Sequence, residues 1–172
     1  MSEKLVLIDG HSILNRAFFG IPDLTNSEGL HTNAVYGFLN IMFRVIEDEG
    51  ADYLAVAFDL KEPTFRHKMY AAYKGTRKPM PQELHEQVPV MKEVLTAMGV
   101  PIVERAGYEA DDIIGTMSAH QTELGGESII LSGDRDLFQL VNEQVTVCFP
   151  KSKGQEMEIG TPEYLAEHYG LT

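Results

Sequence analysis

Shortages in the sequence restrict what this protein can be. Its 172 residues include one cysteine, Cys148, so no disulfide can form within the chain, and its apolar surroundings (VTVCF) predict a packing role. Long hydrophobic runs are missing as well. The longest ones, such as LVLI and YLAVAF, have the length of strands and cannot cross a bilayer. The N-terminus MSEKLVLIDG lacks the cleavage site of a signal peptide, so we expect a cytoplasmic protein.

Positive charge is scarce too, with 14 Lys and Arg against 26 Asp and Glu and a formal net charge of −12. Taken alone, this balance argues against a nucleic-acid partner, because phosphate contacts come from Lys and Arg. The distribution of charge changes that interpretation. Residues 61–78 contain six Lys and Arg but only one acid, Glu62, and residues 61–80 lack a clear periodicity. In a compact domain such a stretch is usually functional or mobile.

Short apolar runs alternate with segments of helical period along the chain. Five runs predict strands, several of them without a polar face and so buried on both sides of a sheet. They are LVLI at 5–8, YLAVAF at 53–58, PIVE at 101–104, SIIL at 128–131 and VTVCF at 145–149. Helices are predicted over 12–19, 32–49, 81–98, 110–124 and 161–169, and a small terminal hairpin is predicted around 152–154. The alternation predicts an α/β fold with a mainly parallel central sheet flanked by helices, in a single domain 1–172.

Acidic residues stand directly after two predicted strands, three residues after a third, and at the start of one predicted helix. In chain order they are Asp9, Asp59, Glu109, Asp111, Asp112, Asp134 and Asp136. Ligands of an open parallel sheet gather outside the carboxyl ends of its strands. We therefore expect acids from four distant segments to converge at one edge of the sheet.

Several of these acids also have an ordinary structural explanation. Asp9 could be a turn residue, Asp111 a helix cap, and Asp136 a cap for the segment DLFQLV. Turn chemistry does not, however, require an aspartate after each of three buried strands, which favours a shared site. If Glu109 precedes the helix, Glu109 and Asp111 both face the strand ends and Asp112 turns away from them.

A cluster of this kind needs a counter-charge. Two carboxylates about 4 Å apart repel by roughly 4 kcal/mol at an effective dielectric near 20, so the whole set cannot stay ionised unaided. Either some of the acids are protonated or divalent cations lie among them. No His or Cys falls at these positions. An all-oxygen ligand set favours Mg²⁺, with Mn²⁺ as a substitute, over Zn²⁺, and is typical of phosphoryl-transfer sites.

Five longer stretches resemble a known family. They are LVLIDGHSILNRAFF, HTNAVYGFLNIM, VAFDLKEPTFRHKMYAAYKGTRKPMPQEL, ERAGYEADDIIGT and LSGDRDLFQLV. In this order, and across nearly the whole chain, they resemble the N-terminal 5′–3′ exonuclease domain of bacterial DNA polymerase I, within the flap endonuclease family. EADDIIGT together with GDRDLFQL is highly specific. The resemblance implies a PIN-like 5′ nuclease core in which all seven acids hold two divalent ions.

The resemblance also assigns a basic, arch-like gateway to residues near 61–80. It implies Lys74 and Arg77 as positive partners of the scissile phosphate and Tyr73 as a stacking surface for a terminal base. From the residues alone, these three could equally lie in a solvated loop. Gly10 would allow close approach of the nucleic-acid backbone. Arg135 stands where relatives often have Lys, and either residue supplies a cation.

The implied function is magnesium-dependent, two-metal hydrolysis of DNA at 5′ ends or flaps, in replication and repair. We expect a monomer with a fused polymerase domain in the parent protein. In the family, a helix–hairpin motif and two further aspartates follow the last helix. The chain stops at EHYGLT, so we expect a complete first metal site, an incomplete second one and weakened activity.

Two other functions stay open at this point. One is a PIN-type ribonuclease that cuts single-stranded RNA, although the segments YKGTR and EADDIIGT weigh against it. The other is a metal- and DNA-binding fragment with little turnover, which the absence of the two further aspartates makes reasonable.

Overall fold

The computed structural model describes residues 2–60, 69, 80–151 and 156–170. The strands in these ranges are β1 (Lys4–Asp9), β2 (Tyr53–Ala57), β3 (Ile102–Val103), β4 (Glu127–Leu131), β5 (Val145–Pro150) and β6 (Met157–Gly160). The α-helices are α1 (Gly10–Gly20), α2 (Asn33–Glu49), α3 (Gln82–His85), α4 (Gln87–Ala97), α5 (Ala110–Glu123) and α6 (Pro162–Tyr169). A 3₁₀ helix spans Arg135–Leu140. No helix in the described ranges is long and apolar enough to span a membrane.

The described strands form one sheet in the order β3-β2-β1-β4-β5-β6. The first four pairings are parallel and β6 runs antiparallel to β5, which confirms the predicted mainly parallel sheet. β1 is central, and the chain order reverses beside it, because β2 pairs on one side and β4 on the other. Ligand crevices of parallel sheets form at the carboxyl ends of strands beside such a reversal.

Side chains of the central strands point alternately into two hydrophobic cores. Val6 and Ile8 pack into the core that contains Phe38 of α2. Leu7, between them in sequence, packs on the opposite face with Ile114 of α5. Because helices cover both faces, the central strands are apolar on both sides, as their sequences predict.

The helix predicted over 81–98 is interrupted in the structure, where α3 and α4 are separated at Glu86. Pro89 explains the interruption. A proline lacks the backbone N–H, and its ring clashes with the carbonyl four residues earlier, here that of His85. His85 is the last residue of α3. The prediction of one continuous helix was wrong because it left out the helix-breaking effect of Pro89.

The last helix begins and ends at its predicted residues. The Thr161 hydroxyl caps α6 by accepting from the Tyr164 N–H at 3.2 Å, Pro162 occupies the first turn, and Gly170 has a left-handed conformation with φ of 65°. Strands β5 and β6 form the predicted terminal hairpin pairing. Its turn, at residues 152–155, lies outside the described residues.

Gly10 is explained by packing inside the protein. It is buried at the start of α1, and a Cβ at this position would lie 2.5 Å from a ring carbon of Phe58. Phe58 is itself fully buried, so its ring cannot move aside cheaply. The expectation that Gly10 faces a nucleic-acid backbone is therefore corrected: its missing side chain lets α1 pack against the residue that follows β2.

We predict that Gly10→Ala lowers the free energy of unfolding by about 1–3 kcal/mol, because the added methyl group overpacks the Phe58 contact. Gly20→Ala is the matched control at the other end of the same helix, where a Cβ meets nothing within 4 Å. It should leave stability unchanged or raise it slightly. Urea unfolding of both variants measures the difference, and equal stabilities would contradict the packing explanation.

Candidate metal centre

A cavity of about 770 Å³ lies at the carboxyl ends of β1, β2 and β4. It is lined by five of the seven acids singled out in the sequence: Asp9, Asp59, Glu109, Asp111 and Asp134. The direction of the parallel strands explains the grouping. Asp9 ends β1, Asp59 follows β2 by two residues, and Asp134 stands three residues beyond β4.

Asp112 and Asp136 line a second cavity of about 1310 Å³, whose wall also includes Glu109 and Asp111. The Asp112 carboxylate accepts a hydrogen bond from the Glu109 N–H at 2.9 Å, so the two residues form a capping box at the start of α5. Glu109 therefore precedes the helix and Asp112 turns aside, as the spacing predicts. Asp136 does not cap the 3₁₀ helix. Asp134 does so, accepting from the Asp136 N–H at 2.9 Å.

Asp9 is the most deeply buried of the acids that line the first cavity, with 5% of its surface exposed. Burial raises the pKa of its carboxyl from 3.8 to about 7, and the negative charges of Asp111 and, less strongly, Asp59 add to the rise. A hydrogen bond from the Ser132 hydroxyl, at 3.0 Å, opposes the shift without cancelling it. The site thus has a carboxylate that takes up a proton near neutral pH.

Asp59 is held from two sides. Its carboxylate accepts from the Ala110 N–H of α5 at 2.7 Å, and its own N–H donates to His11 Nδ1 at 3.3 Å. Burial lowers the pKa of His11, although the charge of Asp59 opposes the shift. This favours the neutral ring, whose unprotonated Nδ1 can accept the hydrogen bond. His11 was not among the residues predicted from the sequence, and the available signal was its position two residues after Asp9.

Two serine hydroxyls join the β1–α1 corner to the loop after β4. Ser12 Oγ accepts from the Gly133 N–H at 2.7 Å, and Ser132 Oγ accepts from the Asp134 N–H at 3.0 Å. Since Ser132 also donates to Asp9, one hydroxyl links acids from two strands. Neither serine was among the residues predicted from the sequence. Their signal was proximity to the acids, in DGHS and LSGD.

The predicted basic gateway cannot be placed, because Tyr73, Lys74 and Arg77 lie outside the described residues. Two described arginines lie near the first cavity. Arg135 lines it, with its guanidinium carbon 4.6 Å from the centre of the Phe149 ring, and Phe149 lines it too. The guanidinium carbon of Arg16 lies 4.5 Å from the centre of the same ring.

The donor set suits a hard divalent cation, because its acids offer oxygen ligands and no thiolate. Burial raises the pKa of Asp9, and a nearby cation would lower it again by stabilising the ionised carboxylate. In the described part of the chain, however, no three His, Cys, Asp or Glu side chains are arranged so that they could hold an ion together. The cavity supplies the charge and the ligand type, and rotation of the side chains would have to complete the coordination.

The sheet order and the acids at its strand ends define the class of the protein, a mainly parallel α/β fold with carboxylates at the carboxyl ends of its strands. Comparison of sequences narrows the class to a family. The family described as "5′-3′ exonuclease, N-terminal resolvase-like domain" matches residues 4–170. The chain belongs to this family.

Curated relatives include DNA polymerase I of Bacillus caldotenax, 48% identical over 172 residues that make up 100% of this chain and 20% of that protein. DNA polymerase I of Bacillus subtilis is 46% identical over 170 residues, 99% of this chain and 19% of that protein. The resemblance to the N-terminal region of bacterial DNA polymerase I is confirmed. The chain spans about a fifth of the length of these relatives.

Solved structures share the fold at low sequence identity. The bacteriophage T5 5′-exonuclease with zinc ions bound superposes with a TM-score of 0.74 at 20% identity, covering 98% of this chain and 61% of that one. The T5 flap endonuclease in a pseudo-enzyme–product complex with DNA and metal ions gives 0.73 at 20% identity, with the same coverage. The catalytic core of Rad2 in complex with DNA gives 0.52 at 16% identity, covering 99% and 51%.

We predict that Asp9→Asn stabilises the metal-free protein by about 2–4 kcal/mol above pH 7, because ionised Asp9 is costly in the fold. The folded pKa, about 7, exceeds the unfolded value, 3.8. The folded chain therefore binds the extra proton between these values, and its stability falls as pH rises from about 4 to 7. The gain from Asn should thus grow over that range and level off above it.

Thermal unfolding in EDTA at several pH values measures this gain. Asp48→Asn is the control, since Asp48 is an exposed helix residue whose carboxylate lies 3.7 Å from Arg44. Exposed pairs of this kind contribute about 0–1 kcal/mol, so the control should change little. A gain for Asp9→Asn that did not vary between pH 4 and 7 would contradict the raised pKa.

Proposed function

We propose that the chain is the metal-dependent catalytic core of a 5′–3′ exonuclease and flap endonuclease that hydrolyses phosphodiester bonds in DNA. One observation carries the proposal: in a chain of this family, five carboxylates from distant segments line one cavity at the strand ends. The T5 flap endonuclease complex, which contains DNA and metal ions, supports the choice of substrate. In this proposal the protein is monomeric and cytoplasmic, acts in replication and repair, and has a polymerase domain in its parent.

The acids of the first cavity would hold Mg²⁺, with Mn²⁺ as a substitute. They are Asp9, Asp59, Glu109, Asp111 and Asp134. The chemistry that bound divalent ions supply at such sites is activation of water and neutralisation of charge on the phosphate. A positive charge beside Asp9 would also offset the burial that keeps its pKa high.

The protein's own contribution is to hold these acids in place before substrate arrives. Ser132 joins Asp9 to the backbone of Asp134, and His11 holds the backbone of Asp59. Groups fixed in this way need little reorganisation during the reaction. The basic residues Lys74 and Arg77 would attract the phosphate and Tyr73 would stack on a terminal base, and these roles remain proposals.

A second ion belongs to the same proposal. It would draw on Asp112 and Asp136, which line the other cavity, beside the shared acids Glu109 and Asp111. Asp112 already caps α5 through the Glu109 N–H, so it would also set the position of Glu109. Because Asp136 lies apart from the first cavity, we expect the second ion to bind more weakly in this chain than the first.

We predict magnesium-dependent cleavage of a 5′-flap DNA. Asp134→Asn should reduce the cleavage rate on the order of 100-fold or more, because a neutral amide replaces a charged ligand. The substitution keeps an oxygen that can accept from the Asp136 N–H, so the 3₁₀ helix should stay capped. Asp48→Asn is the matched control and should cleave normally. Rates on a labelled flap substrate measure both, and full activity of Asp134→Asn would overturn the proposed site.

Parallel digestion of flap DNA and linear single-stranded RNA tests the ribonuclease alternative. We predict a preference for flap DNA, since the family and the T5 complex both point to it. A preference for RNA would favour the PIN-type ribonuclease. Calorimetric binding of Mg²⁺ and Mn²⁺ without cleavage in either metal would instead favour a binding module with little turnover.

A further inference from the structure

A buried carboxylate outside the acid cluster is held by three donors. Glu158 of β6 has 5% of its surface exposed. Its Oε1 accepts from the Tyr164 hydroxyl at 2.8 Å and the Tyr169 hydroxyl at 2.5 Å, and its Oε2 accepts from Arg135 Nη2 at 3.3 Å. Burial raises the pKa of Glu158, but these hydrogen bonds outweigh burial and lower it. The carboxylate is therefore charged and fixed in orientation.

Arg135 connects Glu158 to the first cavity, because it bonds to Glu158 and also lines the cavity. It stands between Asp134 and Asp136, and it lines the cavity together with Phe149. Its side chain is 59% exposed, with the guanidinium 4.6 Å from the centre of the Phe149 ring. A guanidinium presents several N–H donors in one planar fork and binds carboxylate or phosphate oxygens well. It thus brings a cation to the edge of a strongly acidic cavity.

The position of Arg135 creates a competition. A long cationic side chain flanked by two aspartates can fold back and pair with either of them, which would neutralise acids that the proposed function assigns to metal ions. Glu158 offers a charged partner whose orientation is already fixed by two tyrosine hydroxyls, and its hydrogen bond with the guanidinium is charge-assisted. The pairing with Glu158 keeps the guanidinium beside Phe149 and away from the two aspartates.

We propose that Glu158 is a positioning residue for Arg135, and that Arg135 held in this way binds a phosphate group of the substrate at the edge of the acidic cavity. The phosphate contact rests on the proposed nuclease function, whereas the positioning does not. The two tyrosines make the arrangement depend on the last helix. Both lie on α6, five residues apart, and both hold the same oxygen of Glu158.

The positioning is tested by side-chain NMR of the arginine Nε–H groups, with the Arg135 signal assigned from the loss of its peak in Arg135→Gln. In the unaltered chain we expect a slowly exchanging, ordered signal. Glu158→Gln removes the charge at nearly constant shape and should make the signal mobile. Glu156→Gln is the control on the same strand hairpin, because Glu156 is 80% exposed and lies 4.0 Å from Lys151. An Arg135 signal unchanged by Glu158→Gln overturns the positioning role.

The phosphate contact is tested by flap-DNA kinetics in a double-mutant cycle. Arg135→Gln should raise KM about tenfold, as loss of a charge-assisted hydrogen bond does, with a smaller effect on kcat. Glu158→Gln should raise KM in the unaltered chain but have no further effect in the Arg135→Gln background, because it acts through Arg135. Fully additive effects would overturn the proposal, since a merely structural role of Glu158 would persist without Arg135.

Two further outcomes keep the tests separate. If Glu158→Gln does not fold, the double variant Tyr164→Phe, Tyr169→Phe replaces it, since it frees the carboxylate without removing its charge. This variant should also make the Arg135 Nε–H signal mobile, and an unchanged signal would overturn the proposal. If the unaltered chain cleaves neither DNA nor RNA, the proposed function and the phosphate contact fail together, while the NMR result still decides the positioning.

Discussion

The structure depends most on one unfavourable interaction, the burial of a negative charge at the end of the central strand. Asp9 is almost completely enclosed, and burial together with neighbouring acids raises its pKa to about 7. The surrounding contacts limit this cost without removing it. Ser132 donates to Asp9 from the loop after the neighbouring strand, so the hydroxyl stabilises the ionised form that burial opposes. What remains is a demand for positive charge, which is the physical basis of the proposed cation site.

The same demand connects stability with function in this family member. Carboxylates brought together at one sheet edge repel one another, so the metal-free fold gives up stability to keep the cluster. The fold meets the cost by covering both faces of the sheet with apolar helices. It also holds the acids from outside the cluster, through hydroxyls, backbone N–H groups and one neutral histidine. Asp9 and Asp59 are therefore positioned by neighbours that do not themselves carry negative charge.

Prediction from the sequence succeeded where local pattern decides structure. Apolar runs with no polar face predicted buried parallel strands, and the parallel direction alone places Asp9, Asp59 and Asp134 at a common edge. It failed where the helix-breaking effect of a proline was not considered, and where a contact joins residues far apart in the sequence. Pro89 interrupts a helix of otherwise regular period. Ser132 reaches Asp9 across 123 residues, a contact that no spacing rule contains.

The sequence by itself determined the family, the mainly parallel sheet and the choice of acids, because strand periodicity and residue type are local properties of the chain. The tertiary structure decided which cavity each acid faces, whereas the spacing predicts only that Asp112 turns away from the strand ends. Asp112 and Asp136 face a second cavity because the capping of α5 and of the 3₁₀ helix sets their direction. Only the tertiary structure, too, brings Glu158 to Arg135. That contact requires the edge strand, the last helix and the acidic loop to be packed together, and packing depends on all three at once.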